Sequence, residues 1–235
     1  MQNSMSIYYY VELAICRIKG DIIRKGYKVD KSIAEMLEKN VSDLDDNEIN
    51  SIFSFAKEKG IDLFYFKRTG GLLPRINKVM GFLRSIEFES LLDVGSGRGA
   101  FLIPFLEEFP HISTYTTDIL EERFVMLKDM ERGGLDSLKA WKKDISSDSF
   151  DEKSVDVVTL LEVLEHIPNV EKAIENATKI AKKYVILSVP SKEDNNEEHI
   201  HLLTKEKLTS LFESQGVKKI AFNEVHNHLL AIVTV

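Results

Sequence analysis

A glycine-rich stretch in the middle of the chain constrains the fold more than any other feature. Residues 91–101 read Leu-Leu-Asp-Val-Gly-Ser-Gly-Arg-Gly-Ala-Phe, an apolar run followed by three alternating glycines and the start of a helical pattern. Gly95, Gly97 and Gly99 let the backbone turn sharply and leave no Cβ in the path of a ligand. A strand, a glycine turn and a helix start present backbone N–H groups to a small, polar, nucleotide-like molecule. The stretch predicts a ligand-binding turn in an α/β fold.

Alternating strand and helix patterns follow this turn to the end of the chain. Strands are predicted at 90–95, 112–117, 137–142, 155–161, 183–189, 217–223 and 228–235, with helices near 99–109, 120–131, 169–182 and 204–215. Such alternation predicts a seven-stranded, mostly parallel sheet with both faces covered. The last two strands are separated only by residues 224–227. Because so short a link permits a hairpin and no crossover, the last strand is expected to be antiparallel.

The first eighty residues follow a different, mostly helical pattern. Apolar residues recur at helical spacing, residues 45–48 (Asp-Asp-Asn-Glu) resemble a helix start, and Pro74 suits the first turn of another helix. We therefore predict a helical N-terminal region at 1–80 and a second domain at 81–235. The aromatic and basic segment at 63–68, together with Tyr8 to Tyr10, forms either a lid over the substrate or the core of the helical region.

Charge and composition narrow the function classes. Residues 1–80 carry 13 Lys and Arg against 11 Asp and Glu, whereas residues 81–235 carry 18 against 27. A domain with net charge −9 repels long polyanions, which disfavours extended nucleic acid as a partner but does not exclude a short RNA end. No apolar run approaches the roughly 20 residues of a membrane span. The single cysteine, Cys16, and the absence of a secretory pattern favour a cytoplasmic protein.

Acidic residues stand at three successive strand ends. Asp93 precedes the glycine turn, Asp118 ends the second predicted strand, and Asp144 follows the third. Ligands of open α/β sheets bind beyond the carboxyl ends of the strands, and an acid at the second strand end can accept both hydroxyls of a ribose. Each aspartate alone is also explained as an ordinary cap or strand-end residue. The spacing from Gly95 to Ala100 fits a nicotinamide-dinucleotide fingerprint too, so the glycines alone leave two ligands open.

Two further segments carry a family resemblance. Residues 154–168 read Ser-Val-Asp-Val-Val-Thr-Leu-Leu-Glu-Val-Leu-Glu-His-Ile-Pro, and residues 185–190 read Val-Ile-Leu-Ser-Val-Pro. With the glycine turn they resemble class I S-adenosylmethionine (SAM)-dependent methyltransferases over about residues 85–235. The resemblance implies a Rossmann-like fold with SAM as cofactor. It assigns the following residues to cofactor binding: Asp93, Gly95, Ser96, Gly97, Gly99, Asp118, Ile119, Asp144, Ile145, Leu161 and Glu162.

Within that resemblance each part of the cofactor has its own residues. The glycine turn holds the methionine moiety, and Asp93 supports its amino end. Asp118 binds the ribose, and Asp144 with Ile145 binds the adenine. Arg98 departs from the small residue usual at its position, and it either engages a carboxylate or points to solvent.

Methyl transfer from a sulfonium requires mainly alignment and exclusion of water. An acceptor with a hydroxyl or amine also loses a proton, for which we select His166 and Glu162 as catalytic candidates. The expected acceptor is a small molecule methylated on O or N, and a homodimer is left open. His166 equally suits a helix-start residue that only shapes the site. His111, His226 and His228 are expected at the surface.

A second function remains open. Glu162, Glu165 and His166 share one side of a helical turn, and with His199 or His201 they would form an oxygen and imidazole metal site. This arrangement is similar to that of small-RNA terminal 2′-O-methyltransferases, although the site that we favour contains no metal ligand. A cofactor-binding module without catalysis is the third class.

Overall fold

A single seven-stranded sheet organises the computed structural model, which describes residues 7–63, 72–193 and 195–235. The strands are β1 (Ser90–Val94), β2 (Ser113–Thr117), β3 (Leu138–Trp141), β4 (Val155–Leu161), β5 (Ala181–Pro190), β6 (Lys219–Val225) and β7 (His228–Thr234). Their order is β3-β2-β1-β4-β5-β7-β6, and β7 runs antiparallel to both β5 and β6. The other neighbouring pairs are parallel. This topology confirms the predicted Rossmann-like sheet with an antiparallel last strand.

Helices cover both faces of the sheet. They are α1 (Ile7–Lys25), α2 (Lys31–Leu37), α3 (Asp46–Glu58), α4 (Pro74–Leu83), α5 (Leu102–Glu108), α6 (Glu121–Arg132), α7 (Val170–Ile180) and α8 (Lys205–Glu213). Helices α7 and α8 pack on one face, whereas α4 and α5 pack on the other. Every β4 residue from Val155 to Leu160 is buried, because this strand is central and has helices on both sides.

Local sequence signals set several helix ends. Asp45 caps α3 by accepting hydrogen bonds from the backbone N–H groups of Asn47 and Glu48, while the Glu48 side chain accepts one from the Asp45 N–H. Pro74 occupies the first turn of α4, where its missing N–H costs no hydrogen bond. Helix α5 begins at Leu102, three residues later than predicted, because the glycine turn extends through residue 101.

The N-terminal helices dock on the sheet domain through α1 and α6. The two helices cross closely at two glycines. A Cβ on Gly20 would lie 1.8 Å from the Asp129 carbonyl oxygen, and one on Gly133 would lie 1.7 Å from that of Cys16. The Arg24 guanidinium binds the buried Asp129 carboxylate at 2.8 and 2.9 Å. The contact is therefore made by backbone proximity and by an ion pair across the two helices.

Two predictions on the N-terminal region stay open. The boundary at residue 80 stays a prediction, since α4 packs on the sheet while α1 packs on α6. Residues 64–68 of the aromatic and basic segment lie outside the described residues, so the lid also stays a prediction. None of the helices in the described part of the chain combines the length and the apolar composition that spanning a bilayer requires.

Candidate active site

The glycine turn is built as the sequence predicts. Gly95, Gly97 and Gly99 have φ angles of +65°, +56° and +76°, in the left-handed region that other residues rarely adopt. The Gly95 N–H donates a 2.7 Å hydrogen bond to the Thr117 carbonyl oxygen, which fastens the start of the turn to the end of β2. The backbone of the turn is thus fixed at the carboxyl edge of the sheet, where ligands of this fold class bind.

Asp93 supports this turn from inside the protein. Its carboxylate accepts hydrogen bonds from the Ser96 hydroxyl at 2.5 Å and from the Thr159 hydroxyl at 2.7 Å. Complete burial raises the pKa of Asp93 to about 6, because desolvation of the charged form outweighs the two hydrogen bonds. Asp93 and Ser96 therefore connect β1, the turn and β4, and neither lines the cavity in front of the turn.

Asp118 and Asp144 occupy the ends of β2 and β3, as predicted. One Asp118 carboxylate oxygen accepts a 3.0 Å hydrogen bond from the Gly97 N–H, and the other accepts one from the Leu120 N–H. Asp118 thereby couples the glycine turn to the start of α6. Asp144 accepts hydrogen bonds from the backbone and hydroxyl of Ser146, both at 2.7 Å.

A cavity of about 400 Å³ lies at these strand ends. Its walls include six of the residues assigned to the cofactor, namely Gly95, Asp118, Ile119, Asp144, Ile145 and Glu162, together with the catalytic candidate His166. Gly97, Gly99 and Leu161 are not among the described residues that line it. Ile119 is 61 % exposed although it is a large apolar side chain. An exposed apolar group beside two acids suits a flat, polar-edged ring such as a purine.

Sequence reasoning missed two cations in this cavity, Arg123 and Lys143. The Arg123 Nη1 atom lies 3.8 Å from where a Cβ on Gly97 would be. Its Nε atom is buried and has no hydrogen-bond partner among the described residues. Nothing in the sequence marked Arg123, because an arginine in the first turn of a helix is usually solvated. Arg98 is exposed and lies outside the described lining, so it follows the solvent alternative.

Glu162, at the end of β4, joins three elements at the cavity wall. Its φ of +60° is left-handed and strained for a residue with a Cβ. Its carboxylate accepts a 2.7 Å hydrogen bond from the Ser188 hydroxyl, lies 3.0 Å from His228 Nε2 and lies 3.7 Å from Arg75 Nε. The expectation that His228 is a surface residue was wrong. The side chain is 26 % exposed and belongs to this cluster, because the β6–β7 hairpin carries it to the carboxyl edge of β5.

The short 3-10 turn Leu164–His166 forms a second cluster. Glu165, His166 and His199 each offer one ligand atom, and these atoms lie within 4.8 Å of one another. His166 Nδ1 lies 2.9 Å from the Glu198 carbonyl oxygen, and the His166 and His199 rings are 4.9 Å apart. If Nδ1 donates this hydrogen bond, Nε2 is left unprotonated, as a metal-ligating histidine requires.

This donor set suits a divalent metal, but it agrees only in part with the ligand set predicted from the sequence. Two imidazoles and one carboxylate suit Zn²⁺, Mn²⁺ or Fe²⁺ with open positions for a substrate. His199 is the remote histidine, whereas His201 Nε2 lies 3.0 Å from the Ile167 carbonyl oxygen. Glu162, the other predicted ligand, is held by Ser188 and His228 instead.

Solved structures share this fold. A SAM-dependent methyltransferase from Aquifex aeolicus is 19 % identical over 68 % of this chain and 88 % of its own, with a TM-score of 0.54. The methyltransferase domain of bacterial CtHen1-CN is 18 % identical over 69 % of this chain and 98 % of its own, with a TM-score of 0.54. The [4+2]-cyclase SpnF is 12 % identical over 67 % of this chain and 79 % of its own, with a TM-score of 0.53. Since a cyclase is among them, these likenesses establish the fold alone.

Sequence comparison identifies the family. None of the curated proteins matches the chain. A family model described as a methyltransferase domain matches residues 62–221, which is more than half of the chain and includes the glycine turn, the three acids and Glu162. With the fold, this match confirms the resemblance seen in the sequence. The chain belongs to the methyltransferase-domain family.

Proposed function

We propose that this chain is a SAM-dependent methyltransferase that acts on an O or N atom of a small acceptor. The single observation that carries the proposal is the cavity at the carboxyl edge of the sheet, which is lined by Gly95 of the glycine turn, by two strand-end acids and by Glu162. When bound, SAM supplies an electrophilic methyl group on its sulfonium. The acidic residues suit its cationic and hydroxylated parts, since carboxylates accept hydrogen bonds from hydroxyl and ammonium groups.

Different residues of the cavity are assigned to different parts of the cofactor. We assign the ribose hydroxyls to Asp118 and the adenine to Asp144 with Ile145, because all three residues line the cavity. We assign Arg123 to the cofactor's carboxylate. It is a cation beside the glycine turn, and its buried Nε lacks an acceptor among the described residues. A guanidinium and a carboxylate form charge-assisted, often bidentate hydrogen bonds, which would satisfy that donor.

We place the acceptor on the side of the cavity opposite the cofactor. The glycine turn, Asp118 and Asp144 belong to the β1–β2–β3 half of the sheet edge, so the cofactor occupies that half. Glu162 faces the β4–β5–β7 half, where Arg75 and His228 also lie. A partly enclosed cluster of this kind offers polar contacts to a small acceptor. The loop at 191–203 and the N-terminal region, which we expect to contact the acceptor, stay predictions.

The test is methyl transfer from radiolabelled SAM to a panel of simple acceptors. Catechol, tyramine and glycerol represent hydroxyl groups, and ethanolamine and benzylamine represent amines. The proposal expects a labelled product with at least one acceptor and a large loss of product with Asp118→Ala. A Glu121→Ala variant, which changes an exposed acid three residues later at the start of α6, serves as the matched control. Binding of cofactor without any labelled product would favour the cofactor-binding module.

The Glu165, His166 and His199 cluster favours a second candidate function. Its three ligand atoms would hold a divalent metal of the type expected for transfer to the terminal 2′-hydroxyl of a short RNA. The fold is also that of the domain from bacterial CtHen1-CN. This candidate expects Mn²⁺-dependent labelling of an oligoribonucleotide, and no labelling of the same oligomer with a 2′-deoxy 3′ end.

Chelation and point variants separate the two functions. His199→Asn should abolish the metal-dependent labelling, whereas His111→Asn, at an exposed histidine, should not. Labelling that survives chelation would contradict the metal-dependent candidate. Labelling of small acceptors in the presence of chelator would support the first proposal.

A further inference from the structure

Glu162, Ser188 and His228 form a cluster in which the histidine is arranged as a proton acceptor. Glu162 ends β4, Ser188 lies near the end of β5, and His228 begins β7 opposite Pro190. Because β7 is antiparallel to β5, its first residue lies at the same edge of the sheet as the last residues of β5. His228 is 66 residues from Glu162 in sequence, and the pairing of β7 with β5 brings it into contact with the Glu162 carboxylate.

Hydrogen bonding defines which imidazole nitrogen is available. His228 Nε2 lies 3.0 Å from one Glu162 carboxylate oxygen, and the Ser188 hydroxyl donates to the other at 2.7 Å. A neutral imidazole that donates through Nε2 has an unprotonated Nδ1, and an adjacent carboxylate stabilises the imidazolium that forms on proton uptake. The side chain is 26 % exposed, so a proton taken up there can be released to solvent.

A second cation, Arg75, lies beside the Glu162 carboxylate. Arg75, from α4, lies 3.7 Å from the Glu162 carboxylate and is 19 % exposed. The arginine therefore adds a positive charge to the side of the carboxylate that also accepts the Ser188 hydrogen bond. Glu162 has a left-handed φ, and its carboxylate contacts Ser188 of β5 and His228 of β7. Strain of this kind is typical of residues held for function.

We propose that His228, positioned by Glu162, accepts the proton of the acceptor's nucleophilic atom, and that the acceptor carries a hydroxyl or a protonated amine. This inference rests on the proposed function. The acceptor atom forms a bond to the methyl carbon, and the carbon–sulfur bond breaks with its electron pair going to sulfur. The proton of the acceptor goes to His228 Nδ1 and later to solvent. His228 is then a catalytic residue, and Glu162 is a positioning residue.

The first test needs no acceptor. Protein with ¹⁵N-labelled histidine is saturated with S-adenosylhomocysteine, and the His228 resonances are assigned by their loss in His228→Asn. The inference expects neutral His228 to carry its proton on Nε2. A neutral ring with its proton on Nδ1 would overturn it, whatever acceptor the enzyme uses.

The second test measures turnover with the best acceptor from the panel. His228→Ala should lower kcat at least about a hundredfold, the usual size of general-base catalysis, with an unchanged KM for SAM. Added imidazole should restore part of the activity. It would not do so if the substitution had merely disturbed the structure. His226→Asn is the matched control, because His226 is an exposed histidine in the same hairpin with a φ of +55° that asparagine tolerates.

The outcomes distinguish this inference from the proposed function. Full turnover by His228→Ala would overturn the role of His228 and leave the methyltransferase proposal standing. Failure of the wild-type protein to bind S-adenosylhomocysteine would count against the proposed function itself.

Discussion

Arg123 allows the cofactor orientation to be tested at one end of the ligand. Arg123→Met removes the guanidinium but keeps most of the apolar length of the side chain. Its Nε is buried without an acceptor among the described residues, and the carboxylate of the ligand would satisfy it. A hydrogen bond to a charged group contributes about 1.5–3 kcal/mol. Because about 1.4 kcal/mol corresponds to a tenfold change, Kd for S-adenosylhomocysteine should rise by about 10- to 150-fold.

Calorimetry with two ligands isolates this contact. 5′-Methylthioadenosine has the same nucleoside and thioether but lacks the amino-acid end, so its affinity should not change in Arg123→Met. Arg98→Met is the matched control, since Arg98 is an exposed arginine on the glycine turn itself. Equal weakening of both ligands would refute the reasoning, because it would show that Arg123 supports the nucleoside end or the fold. Unchanged binding of both would refute it as well.

Three further predictions test the site and the contacts that support it. Asp93→Asn removes a carboxylate whose ionised form is disfavoured by burial, with a folded pKa of about 6. At a pH above this pKa, keeping Asp93 ionised in the folded protein costs about 3 kcal/mol of stability. The Tm of the variant minus that of the wild type should therefore rise from about pH 4 to about pH 8. A difference that does not change with pH would contradict this. Gly20→Ala should lower the free energy of unfolding in urea by about 1–3 kcal/mol, because the new Cβ meets the Asp129 carbonyl. Gly81→Ala, in open space, should raise it by about 0.5–1 kcal/mol. Similar changes in the two variants would refute the close helix contact. Asp144→Ala should weaken S-adenosylhomocysteine and 5′-methylthioadenosine by equal factors in calorimetry, and selective loss of one ligand would contradict its place at the adenine end.

Local signals in the sequence were sufficient for most of the fold. The glycine turn, the cap at Asp45 and the proline at the start of α4 each depend on a few adjacent residues. Strand β6 was predicted two residues too early. It is an edge strand whose end is set by the tight turn at residues 226–227, and not by an apolar pattern of its own.

The site was harder to predict from the sequence, because its contacts join residues that are far apart in the chain. The strand-end acids could be predicted since each follows its own strand. Arg123 lies near the glycine turn only because the fold brings the start of α6 next to that turn, and its sequence context is that of a solvated helix residue. His228 could have been found by one further step. The predicted antiparallel hairpin already placed the start of β7 at the ligand-binding edge.

The most direct test of the central claim is calorimetric titration of the wild-type protein with S-adenosylhomocysteine, repeated with Asp118→Ala. We expect one binding site per chain and a marked loss of affinity in the variant, because Asp118 fixes the glycine turn and is the residue that we assign to the ribose. A folded wild-type protein that does not bind the ligand would contradict the account. Binding that Asp118→Ala leaves unchanged would also contradict it, since the ligand would then lie outside this cavity.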